Sequence, residues 1–376
     1  MNLDELRGKI DLLDDNILKL FLERMDVSED IARYKNENSL PLASRERERE
    51  ILKKVTAAAG EREVYAYRLF SELFELSKAR QAELINTSSK IGAAVSAAMT
   101  DELFPQSGFV ACQGVEGSNS QAACDKLLPR GNIVYVKSFE AVFDAVETGL
   151  CSYGVLPIEN STAGSVRAVY ELLQKKKFSI VRSTKLCVLH ELLGKKGAKL
   201  SDIKEIYSHE QAIAQCSKFL SALDGVRIFP CANTAIAAKS VSESDSLNKA
   251  AISSHVCAKL YGLESIEPNI CDSENNYTRF ICIAKENKIY ADANRISITV
   301  ACDNRPGALY EILSKAASIG VNMSKLESCP VTGRNFEFVF FIDLDASVRD
   351  KKVLSMLEEM ERTCDNFMML GNYAEV

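Results

Sequence analysis

Two pairs of polar residues in the N-terminal part of the chain have the spacing of groups that hold a small anion. Arg24 and Lys35 are eleven residues apart, about three helical turns, so they share one face of a helix. Ser77 and Gln81 are four residues apart and also share a face. Arg7 lies about 25 Å from Arg24 along a helix axis, so one small molecule does not contact both within one chain. A solvated face with ordinary ion pairs would show the same pattern.

A second set of polar residues follows short apolar runs in the middle of the chain. The run 109–113 leads into Gly114-Val-Glu-Gly-Ser118, a strand–loop–helix pattern whose free backbone N–H groups suit an anion or form a simple tight turn. Polar residues at 159–164 and 207–211 also lie between the end of a predicted strand and the start of the next helix. Open α/β sheets bind ligands at such positions. The loop has neither the Gly-Lys-Ser/Thr of a P-loop nor a G-x-G-x-x-G motif, so it does not predict a nucleotide site.

The composition is that of a soluble protein of two or three domains. The chain has 376 residues and a net charge of -6, which argues weakly against a nucleic-acid partner. No signal peptide is visible, and the longest mostly apolar run, 91–99, is too short to span a bilayer, so we expect a cytoplasmic protein. The 12 cysteines form no C-x-x-C pair and there are only 3 histidines, which disfavours a metal site.

The N-terminal elements are predicted to be three amphipathic helices. Apolar residues three and four apart predict a first helix of roughly 35 residues, ~50 Å long. So long a helix does not bury its apolar stripe within a small module, so we expect a second copy of the chain to cover it in an intertwined dimer. Further helices are predicted at 44–58 and 63–85, the latter with Leu69, Leu73 and Leu76 inside. The stripe of the first helix consists of Leu3, Leu6, Ile10, Leu13, Ile17 and Leu20.

Strands alternate with helices from residue 107 to 285, which predicts a mostly parallel α/β structure. A segment of that length can form two α/β lobes with a cleft between them. The preceding segment, 87–106, is rich in Ser, Thr and Ala and is predicted to be a tether with one or two helical turns. Predicted strands are 109–113, 133–136, 153–158, 178–182, 205–210, 226–229 and 250–253; predicted helices begin near 121 and cover 139–147, 166–174, 211–220 and 234–242.

The C-terminal residues have a βαββαβ order, which is typical of a ferredoxin-like α+β module. Strands are predicted at 295–300, 323–328, 338–344 and 368–370, with helices at 308–318 and 348–363 and turns at 303–307 and 332–334. The pattern alone fits either a ligand-binding module or a dimerisation domain without a ligand.

Residues 3–85 resemble the all-helical chorismate mutase domain, through Leu6–Asp11, Glu23-Arg24, Lys35, Pro41, Arg47–Glu50 and Ser77–Gln81. The resemblance implies a pericyclic rearrangement, which needs a folded dianion to be held and its ether oxygen to be stabilised. It implies Lys35 and Gln81 as donors to that oxygen and Glu48 as acceptor from the ring hydroxyl. The implied binding residues are Arg7 from the partner subunit, Arg24, Arg47, Ser77 and Ser44, which stands where some family members have aspartate.

Residues 107–285 resemble prephenate dehydratase, through Gly114–Ser120, Pro157–Gly164, Tyr207–Gln211 with Gln215, and Asn276–Phe280. The resemblance implies that prephenate loses CO₂ and its ring hydroxyl, with Thr278 as hydrogen-bond donor or proton relay beside the departing hydroxyl. It implies that Asn160, Ser208 and Gln215 orient the substrate and that Ser118 and Thr162 receive a carboxylate. Arg279 either contacts the substrate or holds its strand in place by ion pairing.

Residues 294–376 resemble a phenylalanine-binding ACT regulatory domain, through Gly307-Ala-Leu309 and Glu327-Ser328-x-Pro330. The resemblance implies inhibition by phenylalanine, bound by Gly307, Ala308, Leu309, Glu327 and Ser328. Cys329 stands where arginine is usual in that family.

Together the three resemblances identify the chain as a member of the bifunctional chorismate mutase–prephenate dehydratase family. The expected domains are an all-α mutase domain (1–86), a linker (87–106), a two-lobed α/β dehydratase domain like a periplasmic binding protein (107–285), and a ferredoxin-like ACT domain (294–376). We expect no cofactor, no metal, no nucleic acid and no membrane, but a homodimer or larger homo-oligomer. Two alternatives remain: a dehydratase whose helical domain only dimerises, and a non-enzymatic small-molecule binding protein.

Overall fold

The computed structural model describes residues 2–38, 45–84, 89–273, 275–302, 307–330 and 338–376. The chain divides into two compact units, residues 1–93 with 354–363 and residues 94–353 with 364–376. Within the described residues, no helix has both the length and the apolar character that crossing a membrane requires.

The first helix, α1, spans Leu3–Glu37 and confirms the predicted length. Asn2 caps its start: the side-chain oxygen accepts from the Glu5 amide at 2.8 Å, and the Glu5 carboxylate accepts from the Asn2 amide at 3.1 Å. This capping box satisfies two of the N–H groups that a helix start leaves unpaired. The apolar stripe of α1 is exposed in the single chain, with Leu13 56% and Ile17 61% exposed.

Two more helices follow, α2 (Arg45–Ala59) and α3 (Glu63–Leu84), within one residue of the predicted ends. The predicted inner face of α3 is wrong, because Leu69 and Leu76 are exposed and Leu73 is only half-buried. The buried row is the neighbouring one, about 100° around the helix. Polar members of that row hydrogen-bond to α1, which turns the row inward. The row consists of Phe74, Ser77 and Gln81.

The predicted tether contains a helix of nine residues, α4 (Lys90–Ala98), which is longer than the one or two turns expected. Ile91 and Val95 of α4 are buried. Directly after it, Met99 forms a parallel β-bridge with Ile289. The described part of the segment therefore packs as an element of the fold, because every third or fourth residue of α4 is apolar.

The next region forms two α/β lobes. In the first, strand β1 (Ser107–Gln113) pairs in parallel with β2 (Arg130–Val136) and with β3 (Tyr153–Asn160). Its other elements are α5 (Asn119–Leu127), α6 (Phe139–Glu147), the short β4 (Gly164–Ser165), α7 (Arg167–Lys175) and β5 (Ser179–Cys187). The second lobe contains β6 (Glu191–Gly194), β7 (Glu205–Ser208), α8 (Glu210–Gln215), α9 (Ser217–Ser221), β8 (Arg227–Pro230), α10 (Thr234–Glu243), β9 (Lys249–Ser253), α11 (His255–Tyr261) and β10 (Glu264–Glu267). Strand β11 (Tyr277–Ala284) then returns to the first lobe.

The prediction of a mostly parallel structure is wrong for about half of the strand pairs. Strand β11 runs antiparallel between β3 and β5, and β6 runs antiparallel to both β9 and β10. Strands β5 and β11 carry the chain out of the first lobe and back into it. These crossings place the start of β11 beside the end of β3.

The predicted helix 211–220 is broken at Cys216 into α8 and α9. The cause is a residue distant in sequence: the Asp272 carboxylate accepts from the backbone amides of Ser217 (3.1 Å) and Lys218 (3.0 Å) and thereby starts a new helix. Strands β6 and β10 and helix α11 were not predicted.

The C-terminal module has the predicted βαββαβ order. Its elements are β12 (Arg295–Cys302), α12 (Ala308–Ser318), β13 (Met323–Pro330), β14 (Phe338–Leu344), α13 (Lys351–Thr363) and β15 (Asp365–Glu375). The sheet order is β13-β14-β12-β15, the ferredoxin-like arrangement. The predicted turns at 303–306 and 332–334 lie outside the described residues.

Strand β15 also pairs with β5, so the sheets of the first lobe and the C-terminal module are continuous. Ala374 and Glu375 lie opposite Arg182 and Ser183 in a parallel register. At Gly371, β15 approaches β5 so closely that a Cβ atom would lie 2.0 Å from the carbonyl oxygen of Ile180. This junction was not predicted, because strand pairing between modules leaves no local sequence pattern.

Candidate functional sites

The helical unit contains a cavity of about 220 Å³ between its three long helices, which we call the helical pocket. It brings together six of the eight residues that the sequence assigned to a mutase site: Arg24, Lys35, Arg47, Glu48, Ser77 and Gln81. The remaining lining residues are Val27, Ser28, Ile31, Ile51, Phe74 and Lys78.

The inner polar groups of the helical pocket are held by hydrogen bonds between α1 and α3. Arg24 Nη1 donates to the Ser77 hydroxyl and to the Leu73 carbonyl oxygen, the latter at 3.0 Å. Gln81 Nε2 donates to the Ser28 hydroxyl at 2.7 Å. Burial lowers the pKa of Arg24, but a guanidinium stays protonated in proteins. The guanidinium is therefore a fixed positive charge.

The outer part of the helical pocket carries charges of both signs. Lys78 Nζ lies 3.6 Å from the Glu48 carboxylate, and Arg47 pairs with Glu50 at 2.9 Å. Sequence reasoning missed Ser28 and Lys78 as lining residues. Ser28 had a usable signal, because it follows Arg24 by one helical turn and so shares its face.

Two predicted residues do not join the helical pocket in the described chain. Arg7 pairs with Asp4 at 3.5 Å near the start of α1, and its side chain is 68% exposed. Ser44 lies outside the described residues. The pocket of one chain thus offers cationic and amide donors, which are suited to a carboxylate-bearing ligand.

A second cluster lies where hydrogen bonds join the two α/β lobes, and we call it the amide cluster. Asn160 ends β3, opposite Thr278 of β11, and Gln215 ends α8 of the second lobe. Its members are Asn160, Thr162, Gln215, Asn276 and Thr278. The sequence assigned four of them. Asn276 was missed as a site residue, although it precedes Thr278 by two residues and so lies on the same face of an extended segment.

Backbone groups fix the direction of the hydrogen bonds around Asn160. Its Oδ1 accepts from the backbone amides of Thr162 (3.1 Å) and Ala163 (2.9 Å), so this atom must be the oxygen. Asn160 Nδ2 consequently points the other way. It donates to Thr278 Oγ1 and to Asn276 Oδ1, each at 2.9 Å.

The hydroxyl of Thr278 therefore acts as an acceptor toward Asn160. A threonine hydroxyl has one proton and two lone pairs. Because Asn160 Nδ2 occupies a lone pair, this hydrogen bond leaves the Thr278 proton available to another acceptor. The cluster thus presents an oriented O–H donor.

Gln215 joins the second lobe to the same network. Its Nε2 donates to Thr162 Oγ1 at 2.7 Å, while its Oε1 accepts from Asn276 Nδ2 at 3.0 Å. His190 Nε2 lies 3.1 Å from the same oxygen. Gln215 therefore links residues of both lobes.

Three predicted dehydratase residues lie outside the amide cluster. Ser118 caps α5 by accepting from the Gln121 amide at 3.3 Å, as expected of a helix N-terminus suited to an anion. Ser208 is fully buried, and its hydroxyl donates to the Ile252 carbonyl oxygen at 2.7 Å. That bond occupies the proton that Ser208 would offer a substrate.

Arg279, the third of these residues, points away from the cluster because neighbouring residues of a strand face opposite sides. Its guanidinium is buried and forms ion pairs with Asp343 and with Glu375, the latter at 2.9 Å. It also donates to the Tyr373 hydroxyl at 2.7 Å. We call this set the arginine network; it supports the ion-pairing role for Arg279 and not the substrate-binding role.

The predicted effector residues lie in two elements of the C-terminal module. Gly307 has a positive φ of 85° and directly precedes α12, which Ala308 and Leu309 begin. Glu327 and Ser328 lie in β13, opposite β14. On the same strand, Lys325 pairs with Glu159 at 2.9 Å, so β13 contacts the residue next to Asn160.

Comparison with known proteins identifies both regions. Residues 6–82 match the chorismate mutase type II family, and residues 110–288 match the prephenate dehydratase family. A bifunctional chorismate mutase/prephenate dehydratase of Escherichia coli (strain K12) is 30% identical over 98% of this chain and 95% of its own length. The chain belongs to the bifunctional chorismate mutase/prephenate dehydratase family.

The two matches contain both sites. Every lining residue of the helical pocket lies within the mutase match, and the whole amide cluster lies within the dehydratase match. The predicted effector residues, 307–328, follow both. Among the described residues, no group of three or more His, Cys, Asp or Glu is arranged to hold a metal ion.

Two solved structures resemble about 71% of the chain. A prephenate dehydratase of Arthrobacter aurescens in complex with L-Phe is 29% identical, with a TM-score of 0.65 over 71% of this chain and 89% of its own. A protein described as a novel type of quorum quenching acylase is also 29% identical, with a TM-score of 0.64 over 71% of this chain and 98% of its own.

Proposed function

We propose that the chain rearranges chorismate to prephenate in the helical pocket and converts prephenate to phenylpyruvate, CO₂ and water at the amide cluster. The observation that carries this proposal is the presence of two differently built sites on one chain. One site is rich in cationic groups, and the other is an amide network around an oriented threonine hydroxyl. Their order is also that of bifunctional relatives aligned over nearly the whole chain.

The helical pocket suits a rearrangement in which no bond to the enzyme forms. The substrate must be held in its folded form, and the negative charge that develops on its ether oxygen must be stabilised. Arg24 is the fixed cation for a carboxylate. Lys35 and Gln81 line the same cavity and are proposed as donors to the ether oxygen. Glu48, also in the cavity, is proposed to accept from the ring hydroxyl.

The amide cluster suits a reaction in which a hydroxyl leaves while a carboxylate becomes CO₂. Both bonds break, and the ring becomes aromatic, which supplies the driving force. Thr278 is proposed to donate a hydrogen bond to the departing hydroxide, or to relay to it a proton taken up from solvent, because Asn160 already occupies one of its lone pairs. Thr162 and Gln215 are proposed to orient the substrate from the two lobes, and Ser118, at the start of α5, to receive a carboxylate.

The C-terminal module is proposed to bind phenylalanine and to inhibit the dehydratase. Support comes from the structurally similar Arthrobacter aurescens dehydratase, which was solved in complex with L-Phe. Gly307 is the proposed point of close approach, since it lacks a side chain and nothing lies within 4 Å of a Cβ atom built there. The proposed effector residues also include Ala308, Leu309, Glu327 and Ser328.

The two activities are testable separately on the same chain. Purified protein is given chorismate without added metal or nucleotide, and chorismate loss and phenylpyruvate formation are measured, with and without phenylalanine. We expect Thr278→Ala to lower phenylpyruvate formation by about 10²–10³-fold and to leave chorismate loss unchanged. Arg24→Ala should instead lower chorismate loss and leave the dehydratase activity unchanged. Added prephenate should therefore restore phenylpyruvate formation in that variant.

Each variant is the matched control for the other, because each should retain one full activity. A chain that leaves chorismate untouched but converts prephenate would have a helical domain that only dimerises. Binding of prephenate without turnover, unaffected by Thr278→Ala, would identify a binding protein. Either result contradicts the proposal.

We also propose that the functional molecule is a dimer at minimum. The exposed stripe of α1, with Ile17 61% exposed, is apolar surface that a second copy would cover. The same arrangement would bring Arg7 of the partner subunit to the helical pocket of the first chain.

A further inference from the structure

His190 is a buried residue without a part in the reaction proposed above. It lies between β5 and β6, where the chain passes from the first lobe to the second, and is 3% exposed. Its main chain is fixed on both sides: its amide donates to Cys271 Sγ at 3.1 Å, and its carbonyl accepts from the Ile270 amide at 3.0 Å. Of its ring nitrogens, Nε2 lies 3.1 Å from Gln215 Oε1, whereas Nδ1 is buried without a hydrogen-bond partner among the described residues.

The protonation of this ring follows from groups whose roles are unambiguous. Asn276 donates to the backbone carbonyl of Val188 at 3.0 Å, so that side-chain atom is Nδ2. The same Nδ2 donates to Gln215 at 3.0 Å, so the Gln215 atom facing it is the oxygen. An oxygen facing His190 Nε2 requires a proton on Nε2. The ring therefore has a proton on Nε2.

The neutral form of the ring is the one that the surroundings favour. Burial lowers the pKa of His190, although the hydrogen bond to Gln215 opposes this shift. A second proton on Nδ1 would be buried without an acceptor among the described residues. The ring is therefore a single N–H donor aimed at one oxygen.

We propose that His190 is a positioning residue of the dehydratase site. Its Nε2–H donates to the oxygen of the Gln215 amide and thereby keeps the amide nitrogen directed toward Thr162. Without that donor, the Gln215 amide is oriented only by Asn276, Thr162 and the longer contact with Asn160. A rotated amide would present an oxygen to Thr162 and lose the proposed donor to the substrate. This inference rests on the proposed dehydratase activity.

The kinetic test uses two substitutions of different length. The amide nitrogen of His190→Gln can take the place of Nε2, whereas that of His190→Asn is too short to reach Gln215. We expect His190→Gln to keep kcat for prephenate within about threefold of wild type, and His190→Asn to lower it by about 10- to 100-fold. Mutase activity of the same samples should be unchanged and measures the concentration of folded protein.

A double-mutant cycle separates positioning from general support of the fold. In a Gln215→Ala background, His190→Asn should have no further effect on kcat, since there is no amide left to orient. Equal kcat values for His190→Asn and wild type would overturn the inference. So would an undiminished effect of His190→Asn in the Gln215→Ala background. If wild type itself makes no phenylpyruvate, the proposed function fails instead.

The protonation of the ring is measurable without any variant. The chain has only 3 histidines, so a ¹⁵N-histidine-labelled sample gives few ring signals. At pH 7.5 we expect one histidine to show a protonated Nε2 and an unprotonated Nδ1, and its signals to be absent from His190→Gln. A proton on Nδ1 would overturn the inference even if no variant folds.

Discussion

At the scale of single residues, Asn160 determines how protons are arranged in the amide cluster. Its oxygen is occupied by two backbone amides, so only its nitrogen can face Thr278. Sequence motifs identified Asn160, Thr162, Gln215 and Thr278, because those residues carry recognisable local patterns. They did not identify His190 as a site residue, because its role depends on partners that only the folded chain brings near. Asn276 was also missed, although it lies in the same motif as Thr278.

Replacing Asn160 by Asp tests this arrangement with almost no change in shape. The carboxylate can still accept from the amides of Thr162 and Ala163, but it cannot donate to Thr278. The Thr278 proton should then be drawn to the new carboxylate instead of to the substrate. We expect kcat for prephenate to fall by about 10²-fold or more, measured as phenylpyruvate formation.

Asn132→Asp is the matched control, since Asn132 is exposed on β2 and the change in charge is the same. It should leave both activities unaltered. Wild-type dehydratase activity in Asn160→Asp would show that the direction of this hydrogen bond does not matter.

At the scale of elements, the arginine network ties β11 to the C-terminal module. Asp343 belongs to β14 and Glu375 to β15, and both ion-pair with Arg279 of β11. The strand that presents Thr278 on one face is therefore held on its other face by strands of another module. The pair of the exposed Arg227 with the largely buried Glu205, by contrast, joins two neighbouring strands of one sheet.

Removing the Arg279 guanidinium should destabilise the chain strongly. We expect Arg279→Met to lower the free energy of unfolding by about 3–5 kcal/mol, because it removes the cationic partner of the buried Asp343 carboxylate. The measurement is urea unfolding followed by circular dichroism. Arg227→Met, at a side chain 71% exposed, should change stability little. Equal stabilities of the two variants would contradict the structural role given to Arg279.

Local patterns predicted the elements well where local forces decide them. Helix α6 has the predicted ends because Ser138 caps it and its apolar residues have helical spacing. The break at Cys216 was missed because it depends on Asp272, which is distant in sequence. The inner face of α3 was predicted wrongly for a similar reason, since hydrogen bonds to α1 determine which row is buried.

At the scale of the whole molecule, Arg7 is a predicted mutase residue that does not reach the helical pocket of its own chain. It lies about 25 Å from Arg24 along α1, and its side chain is 68% exposed. The exposed apolar stripe of the same helix favours a partner subunit. An intertwined pair of α1 helices would cover the stripe and complete each helical pocket.

Mixing two inactive variants tests this arrangement. Arg7→Ala and Arg24→Ala should each lose most mutase activity, because each removes a guanidinium group that binds a carboxylate of the substrate. Unfolding and refolding them together forms mixed dimers, each with one intact pocket. Random pairing should restore about a quarter of wild-type mutase activity, because half of the dimers have one intact site of two.

Refolding either variant alone is the control and should restore no mutase activity. If the mixture also stays inactive while sedimentation shows dimers, Arg7 does not act on the partner's pocket.

The pairing of β15 with β5 has a consequence for synthesis on the ribosome. Thr184 of β5 donates to the carbonyl oxygen of Val376, which is made 192 residues later. At typical elongation speeds, β15 is synthesised on the order of 10–40 s after β5. During this interval the first lobe has an open edge on which strands of other nascent chains could dock. We therefore expect the yield of native protein to depend on translation speed and on chaperones that shield β5.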